Sequence, residues 1–423
     1  MLQRSAPAAA VGIVAVLALT ACSTSDEPTN TGSTGDQKTL TIATDNVAPL
    51  EAVVEEFEAA HPDITVEIQD GGSDYPTFLR TGLAAGTAAD VIRTFPGAGN
   101  VVSVVPLDEA SQLVDLSGAE WAGELSPTQN NLFSNDDKLL SVPIGALGLG
   151  PVYNDQTMEE LGLEIPETYS EVLDLCAAAK DNGKVAYTMF LKGGSSIPSY
   201  AMLAPLLYGP NPDFTVEQIA GDQSFADSEW VDAFAMQQEM LAAGCFNEGP
   251  TGTEWNVSFE QVATGQALAT FAFSDTTSLE DVAPEGATFS IAPFPVDDSG
   301  DNYLAAADSS GFGINAKSDN QDAAKVFIDF LATADAQNAY ATASKGAPSL
   351  PNDSFSPDSP NQATVLEYVV SGKTATWPDQ GWPGTATQLE LNEVTQTVIL
   401  GSDSPEAAAE RLDAAFAKDL ADN

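Results

Sequence analysis

Residues 136–154 constrain the fold more than any other part of the chain. They read D-D-K-L-L-S-V-P-I-G-A-L-G-L-G-P-V-Y-N. Residues 139–144 are predicted to form a strand, and Gly145, Gly148 and Gly150 follow it. Glycines that absorb backbone rotation beside a stiff strand are typical of a hinge. We therefore expect the chain to cross here from one lobe into a second.

The first 22 residues have the pattern of a targeting segment. Arg4 precedes an apolar run over residues 8–18, which is too short to span a membrane. The run ends in Leu19-Thr20-Ala21-Cys22, which resembles the lipobox of bacterial lipoproteins. The resemblance implies a signal peptide over residues 1–21, cleavage before Cys22, and acylation (for example by palmitate) of its thiol. The alternative is an ordinary signal peptide with an unrelated cysteine.

Composition limits the partners of the chain. Its 423 residues carry 14 Lys and Arg against 62 Asp and Glu, a formal net charge of −48. Such a charge argues against nucleic acid and against an anionic membrane surface as partners. It is typical of a soluble acidic shell or a saline habitat.

The length of the chain exceeds what one hydrophobic core usually serves, so two lobes are expected. Residues 22–37, rich in small polar residues, are expected to be a lipidated flexible tether.

Cys176 and Cys245 remain after Cys22 is assigned to the lipid. In an exported protein two remaining cysteines are expected to pair. The alternative is two separate buried thiols. A disulfide closing a loop of about 70 residues would stabilise the fold by roughly 4 kcal/mol.

Strands and helices alternate in the first part of the chain. Residues 39–43 are predicted as a strand, Leu50, Val53 and Phe57 as the apolar stripe of a helix, and residues 64–68 and 90–95 as the next two strands. Ligands of parallel sheets lie beyond the carboxyl ends of the strands. The candidates at these ends are Asp45, Asn46, Asp74, Tyr75, Thr94, Phe95 and, in a later loop, Ser195.

Four segments of the sequence carry motifs that belong together. The first is D-K-L-L-S-V-P with Y-N ten residues on, followed by P-E-T-Y at 166–169. The others are A-A-G-T-A-A-D-V at 84–91, F-E-Q-V-A-T-G-Q-A-L-A at 259–269 and D-S-S-G-F-G-I-N at 308–315. Over roughly residues 38–420 the chain thus resembles the extracellular solute-binding proteins of ABC importers, family 1, the maltose-type sugar-binding group. The first segment is similar to the family's first crossing between lobes, and in the second Ala89 stands in place of the family's usual proline.

The resemblance implies an α/β fold of the two-lobed, periplasmic-binding-protein-like type II. Each lobe would be a mainly parallel sheet flanked by helices, with the ligand cleft between the lobes. Lobe 1 would comprise residues 38–147 and 312–347, and lobe 2 residues 148–311 and 348–423. The resemblance also implies ligand contacts from Ser274, Asp275 and Ser310.

The segment T-W-P-D-Q-G-W-P-G at 376–384 is the main candidate for recognition of a sugar. Sugar rings pack on aromatic planes, and their hydroxyls need fixed polar partners. Trp377 and Trp382 are therefore predicted to stack on the ligand, with Trp255 and Tyr75 as further aromatic candidates.

Enzyme functions receive little support. The one histidine, His61, lies at a predicted helix end, so nucleophilic mechanisms lack an obvious base. Carboxylate pairs for glycoside hydrolysis remain open among 62 acidic residues. The sequence predicts no enzyme, metal or cofactor. It predicts a monomeric lipoprotein that captures a carbohydrate and delivers it to permease subunits, held at the cell membrane only by its lipid. The alternatives are a cleft hydrolase, a binding protein for a metal or polyamine, and a surface protein that holds a host or matrix partner.

Overall fold

The computed structural model describes residues 38–422, apart from the side chains of Ser73 and Thr277. The predicted signal peptide, the tether and Cys22 lie outside the described residues. The strands are β1 (Lys38–Thr44), β2 (Ile64–Asp70), β3 (Val91–Thr94), β4 (Ser134–Asn135), β5 (Lys138–Leu139), β6 (Val142–Asn154), β7 (Val185–Thr188), β8 (Ala267–Phe273), β9 (Phe289–Ile291), β10 (Leu304–Ile314) and β11 (Thr374–Ala375). The helices are α1 (Val47–Ala60), α2 (Tyr75–Ala85), α3 (Val104–Glu109), α4 (Pro127–Leu132), α5 (Asp155–Leu161), α6 (Tyr169–Asp181), α7 (Ile197–Leu203), α8 (Phe214–Ala220), α9 (Trp230–Ala243), α10 (Trp255–Ala263), α11 (Thr277–Glu280), α12 (Gln321–Leu331), α13 (Ala334–Ala343), α14 (Pro360–Ser371), α15 (Ala386–Ile399) and α16 (Pro405–Asp422).

Nine of the strands between residues 38 and 422 form one mixed sheet. Its main order is β2-β1-β3-β10-β6-β8-β7, with β9 paired to β6 and β11 paired to β10. Pairing is parallel at both ends, where β1 joins β2 and β3 and where β7 joins β8. Pairing is antiparallel in the middle, where β10 joins β3 and β6, and β6 joins β8. The long strands β6 and β10 thus connect two parallel parts, and the α/β fold class is confirmed.

The glycines of β6 do not all loosen the backbone. Gly145 has a positive φ of 76°, but Gly148 and Gly150 stay in the strand and pair with β10 and β8. A Cβ placed on Gly150 would lie 2.4 Å from the Ala292 carbonyl oxygen. Glycine at position 150 therefore allows a close approach of two backbones, and the expected freedom applies to Gly145.

Buried apolar side chains form two large clusters within the described residues. The first core lies between residues 40 and 144 and between 312 and 340, and includes β1, β3, α1, α12 and α13. The second core includes β7, β8, α6, α7, α9, α15 and α16. A smaller cluster joins α10, β9 and α14. The two large cores belong to opposite ends of the sheet.

Local sequence signals account for many of the helices. Leu50, Val53 and Phe57 of α1 are buried as their spacing predicts. Thr168 and Glu171, three residues apart, predict a capping box at the start of α6. It is confirmed, because the Thr168 side chain accepts from the Glu171 amide and the Glu171 carboxylate accepts from the Thr168 amide.

Two segments differ from what the sequence predicts. The apolar stripe of residues 323–331 predicts one long helix over residues 320–340, but α12 ends at Leu331 and α13 begins at Ala334. The Thr333 hydroxyl accepts a hydrogen bond from the Ala336 amide at 3.3 Å and so caps a new helix. The sequence of residues 104–108 resembles a family loop, but these residues belong to α3.

Cys176 and Cys245 form a disulfide with an Sγ–Sγ distance of 2.15 Å. Cys176 lies on the buried face of α6, and Cys245 directly follows the Gly244 cap of α9. The bond therefore ties two helices of the second core together. No helix in residues 38–422 has the length and apolar character needed to cross a bilayer.

Candidate functional site

A cavity of about 370 Å³ lies between the first and second cores. The ends of β1 and β3 border it on one side. The start of α7, the end of β8 and the segment 377–380 border it on the other. The polar and aromatic residues of its lining are Asp45, Arg93, Phe95, Asn100, Ser103, Ser196, Tyr200, Phe273, Ser309, Trp377, Asp379, Gln380 and Gln388.

An ion pair forms the wall on the side of the first core. The Arg93 guanidinium, at the end of β3, pairs with the Asp45 carboxylate that follows β1. The guanidinium carbon also lies 4.7 Å from the centre of the Phe95 ring. The Arg93 side chain is 9% exposed, and its Nε is buried without a hydrogen-bond partner. One N–H donor of the Arg93 guanidinium, a residue of the cavity lining, thus has no hydrogen-bond partner.

An aromatic pair forms part of the opposite wall. The rings of Trp377 and Phe273 pack with their centres 5.2 Å apart. Both side chains are half-buried and line the cavity. The indole Nε1 of Trp377 is buried without a partner. This wall therefore offers a flat apolar face with an unused donor at its edge.

Asp379 places a carboxyl group beside this aromatic wall. Its Oδ2 accepts a hydrogen bond from Gln388 Nε2 at 3.1 Å. Burial raises the pKa of Asp379 to about 6, against the opposing effect of the nearby Tyr200 hydroxyl. Burial, reinforced by the Asp379 charge, raises the pKa of Tyr200 well above its usual range.

Five buried polar atoms of the lining have no hydrogen-bond partner: Arg93 Nε, Trp377 Nε1, Tyr200 Oη, Asp379 Oδ1 and Gln380 Oε1. A buried polar atom without a partner costs about 1–3 kcal/mol. The two nitrogens are donors, the Tyr200 hydroxyl can donate and accept, and the other two oxygens are acceptors. A hydroxyl group both donates and accepts, so a ligand with several hydroxyls and an apolar ring face fits this lining.

Three predicted site residues line the cavity. Asp45 and Phe95 follow β1 and β3, and Trp377 begins the Trp-rich segment. The structure brings these residues together although they are far apart in sequence.

Three other predicted residues lie next to lining residues but point away. Thr94, Ser274 and Ser310 are fully buried, whereas their neighbours Phe95, Phe273 and Ser309 line the cavity. The Thr94 hydroxyl is 2.7 Å from the Ser141 hydroxyl, and the Ser274 hydroxyl accepts from the Gly148 amide. Successive side chains of a strand point to opposite faces, so only one of each pair reaches the cavity.

The predicted residues after β2 also lie elsewhere, because β2 is the edge strand of the sheet. Tyr75 is buried in the first core, where its hydroxyl donates to the Arg93 carbonyl at 2.8 Å. Asp74 is exposed at the start of α2.

Two further predicted residues lie next to lining residues. Asn46 donates from Nδ2 to the Tyr340 hydroxyl at 3.1 Å, and Ser195 is buried beside the lining residue Ser196.

The remaining predicted residues do not reach the cavity. Trp382, which is predicted to stack on the ligand, is 1% exposed and packs in the second core against Tyr200 and Trp230. Trp255 is 54% exposed at the start of α10, and Asp275 is exposed beyond the end of β8.

Sequence reasoning missed several lining residues. Arg93 carried a signal, since it is one of only 14 basic residues and lies in the predicted strand over residues 90–95. Asp379 and Gln380 lie between the two tryptophans already singled out. Tyr200 and Gln388 carried no signal, because they belong to helices whose approach to the cavity depends on tertiary packing.

Metal binding finds no candidate in the described residues. Between residues 38 and 422 no group of three or more His, Cys, Asp or Glu side chains is arranged to hold a metal ion.

The α/β fold and the cavity between its two cores define a binding protein for a small solute. A model of the family "bacterial extracellular solute-binding protein" matches residues 43–338. The match covers more than half of the chain, which therefore belongs to this family.

The individual proteins that the chain resembles share less than 30% sequence identity with it. The chain is 23% identical over 341 residues to the multiple sugar-binding protein of Streptococcus mutans, covering 79% of this chain and 80% of that one. It is 27% identical over 192 residues to the melibiose/raffinose/stachyose-binding protein MelE of Bacillus subtilis, covering 44% and 42%. Among solved structures, a family 1 extracellular solute-binding protein from Bifidobacterium longum subsp. infantis superposes with a TM-score of 0.70 at 21% identity, over 91% of this chain and 100% of that one.

Proposed function

We propose that this protein is the sugar-binding receptor of an ABC importer. It captures a sugar in the cavity between the first and second cores and delivers it to permease subunits in the membrane. The observation that carries the proposal is the cavity lining, in which the Trp377 face and the unpaired polar atoms of Arg93 and Gln380 border the same cavity. The names of the two sugar-binding relatives point to the same class of ligand.

The proposal includes closure of two lobes around the ligand. Lobe 1 would be residues 38–147 and 312–347, and lobe 2 residues 148–311 and 348–423. The separate first and second cores support this division, and β6 and β10 are the connections that would bend. A ligand held from both sides stabilises the closed form, which the permease recognises.

Anchoring by a lipid on Cys22 is a further part of the proposal, together with the signal peptide over residues 1–21. It rests on the Leu19-Thr20-Ala21-Cys22 pattern. Radiolabelled palmitate should enter the chain in cells and should be lost in Cys22→Ser. The receptor would then be a monomer on the outer face of the cell membrane.

A thermal-shift screen of the full chain carrying Cys22→Ser tests the ligand class. Sugars, amino acids, polyamines and metal ions are compared at equal concentrations. A ligand at 100 times its dissociation constant adds about 2.7 kcal/mol to the free energy of unfolding. We expect a shift with at least one sugar, and the sugar should be recovered unchanged, since we propose binding without turnover. A shift only with a polyamine or a metal ion would reject the carbohydrate ligand.

A further inference from the structure

We propose that Gly97 and Gly99 close the cavity against Asp379 and Gln380 and thereby limit the ligand to one or two sugar rings. The inference rests on the proposed function, because it names the length of sugar that the same cavity accepts. We call the contact between these four residues the latch.

The latch is a contact between two backbones. The loop with Gly97 and Gly99 follows β3 on the side of the first core, whereas Asp379 and Gln380 belong to the second-core side. A Cβ placed on Gly97 would lie 1.8 Å from the Gln380 carbonyl oxygen, and a Cβ on Gly99 would lie 2.3 Å from the Asp379 carbonyl oxygen. Only glycine permits backbones to approach this closely.

Hydrogen bonds hold the first-core side of the latch in place. The Gly97 amide donates to the Leu132 carbonyl at 2.7 Å, and the Gly97 carbonyl accepts from the Val105 amide at 3.2 Å. These two hydrogen bonds fix the Gly97 side of the latch to the first core.

The opposite side is held as well. Gln380 Nε2 donates to the Asp308 carbonyl of β10 at 3.0 Å, and Gln388 donates to the Asp379 carboxylate. With both sides fixed, a side chain at position 99 cannot be accommodated by moving one loop, so the two sides must separate.

The position of the latch sets the length of the ligand. Gly99, Asp379 and Gln380 line the cavity of about 370 Å³. Gly97 and Gln380 also border a second hollow of about 530 Å³, whose wall includes Asn130 and Asn131. The latch thus stands between the two spaces. The inner volume is near the lower end of the range of about 300–1,000 Å³ for ligand sites. A sugar chain that continued into the outer hollow would have to force the latch apart.

Gly99→Ala is the variant that tests the latch. Gly97 has a positive φ of 65°, where any side chain is strained, whereas Gly99 has no positive φ. Gly123→Ala is the matched control, because a Cβ there meets no atom within 4 Å and the residue lies in the same part of the chain. Both changes are made in the full chain carrying Cys22→Ser.

The experiment measures dissociation constants for mono-, di-, tri- and tetrasaccharides of one series, together with the unfolding temperature without ligand. In the wild-type sequence we expect a third ring to weaken binding at least tenfold. Gly99→Ala should weaken binding of the short sugar at least tenfold and lose the discrimination against length, with an unchanged unfolding temperature. Gly123→Ala should match the wild-type sequence.

Equal affinity of the wild-type sequence for long and short sugars would overturn the length limit, whatever the variant does. Wild-type affinity in Gly99→Ala would overturn the latch. Absence of binding to sugars of every length would instead reject the proposed function.

Discussion

Ionisation of Asp379, whose carboxyl group is part of the cavity lining, costs free energy in the folded protein. Burial raises the pKa of its carboxyl group from 3.8 to about 6. The folded state therefore binds this proton more tightly than the unfolded state does. Ionisation of Asp379 costs nothing below the unfolded pKa, and its cost grows as the pH rises through the interval up to the folded pKa.

Asp379→Asn removes this cost and keeps an oxygen that can accept from Gln388. We expect the free energy of unfolding to rise at pH 8 by about 2–3 kcal/mol, because the carboxyl group with its raised pKa is no longer ionised in the folded state. At pH 4 it should not change. Urea unfolding at both pH values measures the effect, with the exposed Asp353→Asn as control. A variant less stable than the wild-type sequence at pH 8 would contradict this account of Asp379.

The placement of Trp382 makes a prediction about stability. Because it is 1% exposed among the rings of the second core, Trp382→Ala should lower the free energy of unfolding by about 3–5 kcal/mol. Trp255→Ala is the control, since Trp255 is 54% exposed and its loss should change stability by less than about 0.5 kcal/mol. Equal losses in chemical denaturation of the two variants would refute the assignment of Trp382 to the core.

Position along a strand was enough to place Asp45 and Phe95 near each other, at the ends of β1 and β3, and both line the cavity. Their contact with a ligand stays a prediction. Whether Thr94 or Phe95 faces the cavity depends on the rotation of the strand, which its short apolar pattern does not fix. The same uncertainty separates Ser310 from Ser309.

At the scale of whole elements, the disulfide is the strongest local constraint. It joins α6 to the end of α9 across 69 positions of sequence. In the loop-entropy description such a bond restricts the unfolded chain and stabilises the fold by about 4 kcal/mol. Neither cysteine lines the cavity.

The double variant Cys176→Ala and Cys245→Ala should therefore unfold at lower urea concentration, by an amount corresponding to roughly 2–4 kcal/mol. Its affinity for the ligand should stay the same. Reduction of the wild-type sequence by dithiothreitol serves as the comparison. If both treatments leave stability unchanged, the bond does not constrain the unfolded chain as described.

Element boundaries were predictable where capping residues are explicit. Thr168 and Glu171 predict the start of α6, and Gly244 predicts the end of α9. The break between α12 and α13 was missed because Ala332 and Thr333 interrupt an apolar pattern that continues beyond them. Thr333 is tolerated within a helix but is a better cap, and only tertiary packing selects the second role.

At the scale of the whole molecule, charge is the dominant feature. The formal net charge of −48 is formed by 62 acidic and 14 basic residues. Like charges on a compact body repel one another more than they do along an extended chain. Dissolved salt screens this repulsion within about 10 Å at 0.1 M.

We therefore expect the unfolding temperature to rise as sodium chloride increases from about 0.01 to 0.5 M, over which the screening length falls severalfold. Potassium chloride should have the same effect, because screening depends on ionic strength. A falling unfolding temperature, or one that responds to a single cation, would show that repulsion among the acidic residues does not control how stability depends on salt.

The overall fold was accessible from sequence through the segments at residues 136–154 and 308–315. These segments contain most of the neighbouring strands β6 and β10, which pair in the middle of the sheet. The latch was not accessible, because the approach of Gly99 to Asp379 joins segments that no local pattern connects.

Calorimetric titration of one sugar into the Cys22→Ser chain, with and without Trp377→Ala, tests the central claim most directly. We predict one binding site per chain and an affinity at least tenfold lower in the variant, a loss of about 1.4 kcal/mol. Trp377→Ala with undiminished affinity would contradict the account, because the sugar would then bind outside the cavity.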